Sequence, residues 1–246
     1  MINYFNILTI FLLLNIILPS DNINAEKKYI GGWPISKNII SSGPDMKIEC
    51  PNETGCSCSK DSDCLNNNCE KLPKGKYCIP KNGDYFPDFS STDQFGEEVR
   101  LYDFSNQGKY ILVEMGTTWC PPCHMLAGWL TFNDQEIASK RFWKDEYQVI
   151  YDLVQSNKIY YVTVLYENDY RENITPEDVE QWFTLYPDDK IPILGDYDKF
   201  LHSWIKPTGL PAILLLNEKM EIVTFSSRGM NLAFDSIINI YEADEK

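Results

Sequence analysis

Two cysteines set two residues apart, Cys120 and Cys123, carry the strongest chemical signal in this chain of 246 residues. With Trp119 before them and Pro121-Pro122 between them, they read Trp-Cys-Pro-Pro-Cys. Such a pair can close a small disulfide and open it again, and its thiolate is the form that attacks another disulfide. A Cys-x-x-Cys is also half of a zinc site. Zinc wants two further ligands at similar spacing, and none stands nearby in the sequence. Two prolines in succession stiffen the loop. The motif in its setting favours redox chemistry.

That setting is a strand-to-helix turn. Tyr110-Ile111-Leu112-Val113-Glu114 is an apolar run of strand length, and His124 to Leu130 reads as a helix. Cys120 thus precedes a helix N-terminus, where backbone N–H groups and the positive helix end stabilise a thiolate.

The formal net charge is −14, with no basic cluster to offset it, so nucleic acid and anionic membrane surfaces are poor partners. Hydrophobic content of 43% and aromatic content of 13% suffice for a core, and the length suits one medium domain with extras. Two histidines in the whole chain argue against a zinc or haem centre, and no cofactor or metal is expected. Residues Ile7 to Leu18 form a short apolar run broken by Asn15, followed by Pro19-Ser20 and a small residue at Ala25. This pattern predicts a secretory signal peptide over 1–25, although Met1 to Asn6 hold no Lys or Arg. An uncleaved N-terminal anchor is the alternative, and the only route to a membrane. The expected location is exported, either periplasmic or secreted.

Residues 26–49, with Gly31-Gly32-Trp33-Pro34 and Ser41-Ser42-Gly43-Pro44, show little periodicity and read as a linker. Six cysteines follow over 50–80: Cys50, Cys56, Cys58, Cys64, Cys69 and Cys78. Polar residues fill the gaps between them, so covalent staples must replace a core. An exported protein meets an oxidising compartment, and structural disulfides are expected here. Six cysteines allow fifteen pairings, and spacing does not choose among them; only a bond across Cys56-Ser57-Cys58 is disfavoured by geometry. A redox relay or a metal site is the lesser reading.

From Gly83 the composition changes. Gly96 between apolar residues suggests a hairpin, and Ile159 to Leu165 is the clearest buried strand. Over 131–158, Trp143, Tyr147, Ile150 and Val154 recur at helical spacing and predict a packed helix face. Thr175-Pro176-Glu177-Asp178 opens a helix whose buried face is Val179, Trp182 and Phe183. Ile191 to Leu194 reads as an edge strand because of Pro192. Pro211 begins an apolar strand after Thr208-Gly209-Leu210, Glu221 to Phe225 returns beside it, and Leu232 to Tyr241 closes as a helix. Strands alternating with helices and ending in a hairpin predict an α/β fold with a mixed sheet.

These pieces, in this order, resemble a known family. Pro87-Asp88-Phe89, Gly96 with Val99 and Leu101, the strand into Trp119-Cys120-Pro121-Pro122-Cys123, Pro192-Ile193-Leu194 with Asp196, and Gly209-Leu210-Pro211 are similar to thioredoxin-like proteins, in their exported TlpA-like and redoxin branch. The likeness spans about two-thirds of the chain and implies a thioredoxin-like domain over 83–242, a mixed central sheet flanked by helices behind a small disulfide-rich segment. It implies that Pro211 is cis and faces the disulfide; without it, Pro211 reads as an ordinary strand-opening proline. It implies that the Leu210 backbone pairs with an extended substrate and that Trp119 shapes the docking surface. It also implies that Glu114, where thioredoxins carry Asp, is buried beneath the motif and takes the proton of Cys123. A solvent-facing carboxylate is the plainer reading of Glu114. His124 reads as an exposed helix residue, or as one that tunes the thiolate, and His202 with Trp204 as a packed structural pair.

The reading reached is a thiol–disulfide oxidoreductase. Cys120 attacks, Cys123 resolves, Glu114 manages the proton, and Trp119, Leu210 and Pro211 form the docking surface. Its partners would be protein thiols or disulfides and a redox protein that recycles the dithiol. Two alternatives stand beside it. One is a secreted binding module on a redox-inactive thioredoxin-like scaffold. The other is a thiol peroxidase, which Thr117 before Cys120 fits and Val113, in place of a proline, does not.

Overall fold

The computed structural model describes residues 28–37 and 43–244. The expected signal peptide over 1–25 lies outside the described residues. Its elements in chain order are β1 Cys69–Leu72, β2 Gly75–Cys78, β3 Ser90–Thr92, β4 Glu98–Arg100, β5 Ile111–Gly116, α1 Pro121–Phe132, α2 Gln148–Gln155, β6 Tyr160–Leu165, α3 Pro176–Leu185, β7 Ile193–Gly195, α4 Phe200–Ile205, β8 Ala212–Leu216, β9 Ile222–Thr224 and α5 Asn231–Asp244.

Five strands form the main sheet in the order β7-β6-β5-β8-β9. The pairs β5–β6 and β6–β7 are parallel, while β5–β8 and β8–β9 are antiparallel. This is an α/β fold with a mixed central sheet flanked by helices, and β7 takes the edge that Pro192 implied. Every residue of β5 and of β8 is buried, as expected for strands covered on both faces. Alternation along β5 sends Val113 and Met115 to one core, with Leu214 and α4 residues Leu201, Trp204 and Ile205. Leu112 goes to the other core, with α1 residues Leu126, Trp129 and Leu130 and α5 residues Phe234 and Ile237. Each buried Leu or Ile is worth roughly 1.5–3 kcal/mol, so this two-faced sheet is the source of the fold's stability. Glu114 lies on the Leu112 face, the exception in an otherwise apolar strand.

Local chemistry explains the helix starts. Thr175 accepts from the Asp178 N–H while the Asp178 carboxylate accepts from the Thr175 N–H, a capping box in front of Pro176. Asn133 closes α1 in the left-handed conformation. Gly96, at φ +75°, turns β3 into β4.

Two expectations need correction. The helix predicted within 131–158 is only Gln148–Gln155; residues before it form short 3-10 turns. Tyr147, Ile150 and Val154 are buried as the spacing implied, while Trp143 packs edge-on against Trp129. The segment read as a linker is not loose where it is described. Tyr29 and Trp33 are buried in the main core and donate hydrogen bonds to Asp103 (2.5 Å) and Asp93 (2.8 Å). Aromatic side chains in a Gly-Pro-rich stretch make their own packing, which periodicity does not report. Among the described residues no helix is long and apolar enough to cross a membrane.

The six N-terminal cysteines form three disulfides: Cys50–Cys56, Cys58–Cys69 and Cys64–Cys78. Hairpin β1–β2 is their framework. It pairs Cys69 with Cys78 across the strands, yet each bonds elsewhere, which ties the hairpin to the preceding loop at two points. Cys56, Cys64, Cys78, Ile79 and Pro80 are its buried residues, too few for a core. Opening Cys64–Cys78 with a Cys64→Ala/Cys78→Ala double variant is therefore expected to cost this segment about 3 kcal/mol, from a loop of 14 residues released in the unfolded state. Protease cleavage between Cys50 and Cys78 at rising urea reads the loss; an unshifted midpoint would show that the staple contributes nothing.

Candidate active site

Helix α1 begins on two prolines, which have no N–H to donate. The first turn of a helix normally presents four unsatisfied N–H groups. Here the Cys123 N–H serves the cap, donating to Cys120 Sγ at 3.2 Å, so Cys120 stands at the N-cap where Ser or Asp usually sits. Cys120 and Cys123 are joined as a disulfide. Cys120 is 2% exposed and Cys123 is fully buried, so an incoming thiolate meets Cys120 first. They share a cluster with Leu165, Val179, Trp182 and Ile193, drawn from β6, α3 and β7.

Beneath them lies Glu114, 2% exposed. Parallel pairing sets Glu114 beside Thr163 and Leu112 beside Tyr161. Both β6 side chains reach the carboxyl: Tyr161 Oη donates to Oε2 at 2.8 Å and Thr163 Oγ1 at 3.3 Å. Oε1 is buried with no hydrogen-bond partner among the described residues. Burial pushes the Glu114 carboxyl up to about 7, against the two hydrogen bonds that pull it down. Gly116 marks where carboxyl and sulfur converge. A Cβ placed on it would lie 3.5 Å from Glu114 Oε1 and 3.7 Å from Cys123 Sγ. The unpartnered oxygen and the buried sulfur therefore flank one small space.

Leu210–Pro211 is a cis peptide. Pro211 opens β8, and Leu210 packs against the dithiol cluster. A groove of about 440 Å³ runs beside it, lined by Pro122, Phe142, Leu210, Pro211, Arg228 and Met230 among others. Trp119 is half-buried on the other side. Its indole N–H donates to Glu167 Oε2 at 3.2 Å, and the Arg171 guanidinium lies 3.2 Å from the ring centroid. Glu167 is held in turn by Lys199 at 2.8 Å.

The structure brings Cys120, Cys123, Glu114, Trp119, Leu210 and Pro211 into one region and places the cysteine-rich segment elsewhere, against α4. Gly55 approaches the Ser203 carbonyl there, and Lys206 covers the Tyr77 ring at 4.5 Å. His124 is not the exposed helix residue that its position suggested. Its Nδ1 meets Tyr186 Oη at 2.8 Å, its Nε2 bonds the Thr118 carbonyl, and its ring packs on Trp182 at 4.6 Å. His202 packs on Tyr166 at 4.5 Å, and burial lowers its pKa. Thr117 Oγ1 is buried without a hydrogen-bond partner among the described residues, so it does not engage Cys120 Sγ as the peroxidase alternative would need. Sequence reasoning missed Tyr161, Thr163 and Arg171. The first two could have been found by alternation once the β5–β6 register was known; Arg171 carried no signal.

No family model matches the chain, and no curated protein does. Solved structures give partial matches. The thioredoxin domain of a thiol-disulfide oxidoreductase from Bacteroides vulgatus is 21% identical over 65% of this chain and 98% of that one, with a TM-score of 0.44. A thiol:disulfide interchange protein from Bacteroides sp. is 18% identical over 65% of this chain and 88% of that one, TM-score 0.44. A thioredoxin-like protein from Bacteroides caccae is 13% identical over 64% of this chain, TM-score 0.46, and the match spans 49% of its length.

Proposed function

We propose that this protein is an exported thiol–disulfide oxidoreductase working through Cys120 and Cys123. One observation carries the reading: a disulfide-bonded pair capping a helix over a buried carboxyl whose pKa lies near 7. In the reduced protein the Cys120 thiolate attacks a substrate disulfide. A bond forms between Cys120 Sγ and one substrate sulfur, and the other substrate sulfur leaves as a thiolate. The Cys123 thiol then passes its proton to Glu114, and its sulfur attacks Cys120 Sγ. The second substrate thiolate departs and takes up a proton. Two electrons have moved from the dithiol to the substrate, and a redox partner must return them. The same steps in reverse oxidise substrate thiols.

Catalysis here is positioning. Cys120 receives the Cys123 N–H at 3.2 Å, a bond that favours the thiolate. Glu114 titrates near neutral pH, where a proton acceptor works best. Leu210 offers backbone for an extended substrate segment beside Cys120. Three disulfides in the preceding segment fit an oxidising compartment and support export.

The test is stoichiometric. The protein reduced and freed of reductant, then given excess 2-hydroxyethyl disulfide, is expected to release two 2-mercaptoethanol molecules per chain while Cys120–Cys123 reforms. No release would leave the binding-module alternative.

A further inference from the structure

The cysteine-rich segment supplies none of the reacting groups, yet it builds a groove with the loop that leads to Leu210. Hairpin β1–β2 supplies Leu72, Pro73, Lys74 and Tyr77; α4 and the loop after it supply His202, Lys206, Pro207 and Thr208. The groove holds about 400 Å³. Its lining includes two lysines and a histidine and no carboxylate, in a chain with 36 acidic residues against 22 Lys and Arg. After burial, the largest cause, Lys206 and Lys74 both disfavour protonation of His202, while Lys199 and Glu167 act in opposite senses. Glu167 is already paired with Lys199. Neither Lys74 nor Lys206 has an ion-pair partner among the described residues. Lys206 is half-buried over the Tyr77 ring, which holds the charge in place inside the groove.

The groove also has an address. Thr208, on its rim, is fixed by its N–H to the Ser227 carbonyl at 2.8 Å, and Leu210 follows two residues later. Two residues span at most about 7 Å of chain, so the rim of the groove lies within that distance of Leu210.

We infer that the groove between hairpin β1–β2 and the Lys206–Thr208 loop docks an acidic segment of the protein substrate, next to the cysteine that Cys120 attacks. The inference rests on Cys120–Cys123 being the reacting pair. It gives the disulfide-stapled segment a role in that reaction, since it presents Lys74 and Tyr77 on a rigid hairpin that the loop alone could not supply.

Three peptides test it, each with one cysteine as a mixed disulfide with 2-mercaptoethanol and four flanking glutamates, glutamines or lysines. The pre-reduced wild-type protein is expected to reduce the glutamate peptide at least tenfold faster, in the second-order rate constant of a single turnover, than the glutamine peptide, with the lysine peptide slowest. The preference should shrink between 50 and 500 mM salt. Lys74→Glu/Lys206→Glu should erase or invert it while 2-hydroxyethyl disulfide, which is uncharged, turns over unchanged; that control also reports folding. Lys74→Gln/Lys206→Gln should fall between. A wild-type protein without preference, or a charge-reversed variant that keeps it, overturns the inference. Should 2-hydroxyethyl disulfide not react at all, the dithiol reading fails separately. Docking is then read by fluorescence anisotropy of a labelled glutamate peptide with serine for cysteine. Binding lost in the charge-reversed variant supports the groove, and no binding to wild type overturns it.

Discussion

Cys120→Ser is expected to bring disulfide reduction down to the uncatalysed background. The serine hydroxyl still accepts the Cys123 N–H and still caps α1, so the fold should be unchanged. What disappears is the nucleophile, since only a thiolate attacks sulfur at neutral pH. Cys123 cannot replace it, because it is fully buried beneath the helix start, in the cluster that holds Trp182. Cys123→Ser should behave differently. The first attack survives, the resolving step does not, and the protein accumulates as a mixed disulfide visible by mass spectrometry. Iodoacetamide on the reduced wild type should label Cys120 well before Cys123, for the same reason of access. Turnover by Cys120→Ser within a factor of a few of wild type would sink the assignment of the nucleophile.

How much of this was legible in the sequence depends on the range over which each signal acts. The turn that carries Cys120 was readable because strand, prolines and helix are contiguous. The α3 start was readable because Thr175 and Asp178 bond locally. Buried strands announced themselves as apolar runs. The surroundings of Glu114 were not readable, because Tyr161 and Thr163 reach it only through the parallel register of β5 with β6, and nothing in either strand alone sets that register. Arg171 over Trp119 is similar: it comes from a loop that folds back after β6, where Arg171 itself takes a left-handed backbone at φ +66°. The disulfide pairing was one of fifteen until the hairpin existed to place Cys69 and Cys78 side by side. Tyr29 and Trp33 show the opposite failure, where weak periodicity concealed real burial.

Glu114→Gln carries the second large effect, and pH separates its two consequences. The carboxyl titrates near 7 in the fold against 4.5 ordinarily, because burial favours the neutral acid. A raised carboxyl stabilises the fold fully below about pH 4.5, and that contribution is lost as pH rises through 7. At 1.36 kcal/mol per unit of pKa, the loss is about 3 kcal/mol across this window. Glutamine matches the neutral acid in shape, accepts from Tyr161 and Thr163, and does not titrate in this range. Urea unfolding of the variant should therefore lack the decline that wild type shows between pH 4.5 and 7, and at pH 8 the variant should be the more stable protein. Activity should move the other way. With no acceptor beneath Cys123, resolution of the mixed disulfide should slow about a hundredfold at pH 7, the size of a lost proton acceptor. Formation of the mixed disulfide by Cys120 should change little. The wild-type resolution rate should rise with pH through an apparent pKa near 7, and the variant's should lack that inflection. A merely structural Glu114 would alter stability and leave the profile of resolution intact, so an inflection that persists in Glu114→Gln removes Glu114 from the mechanism.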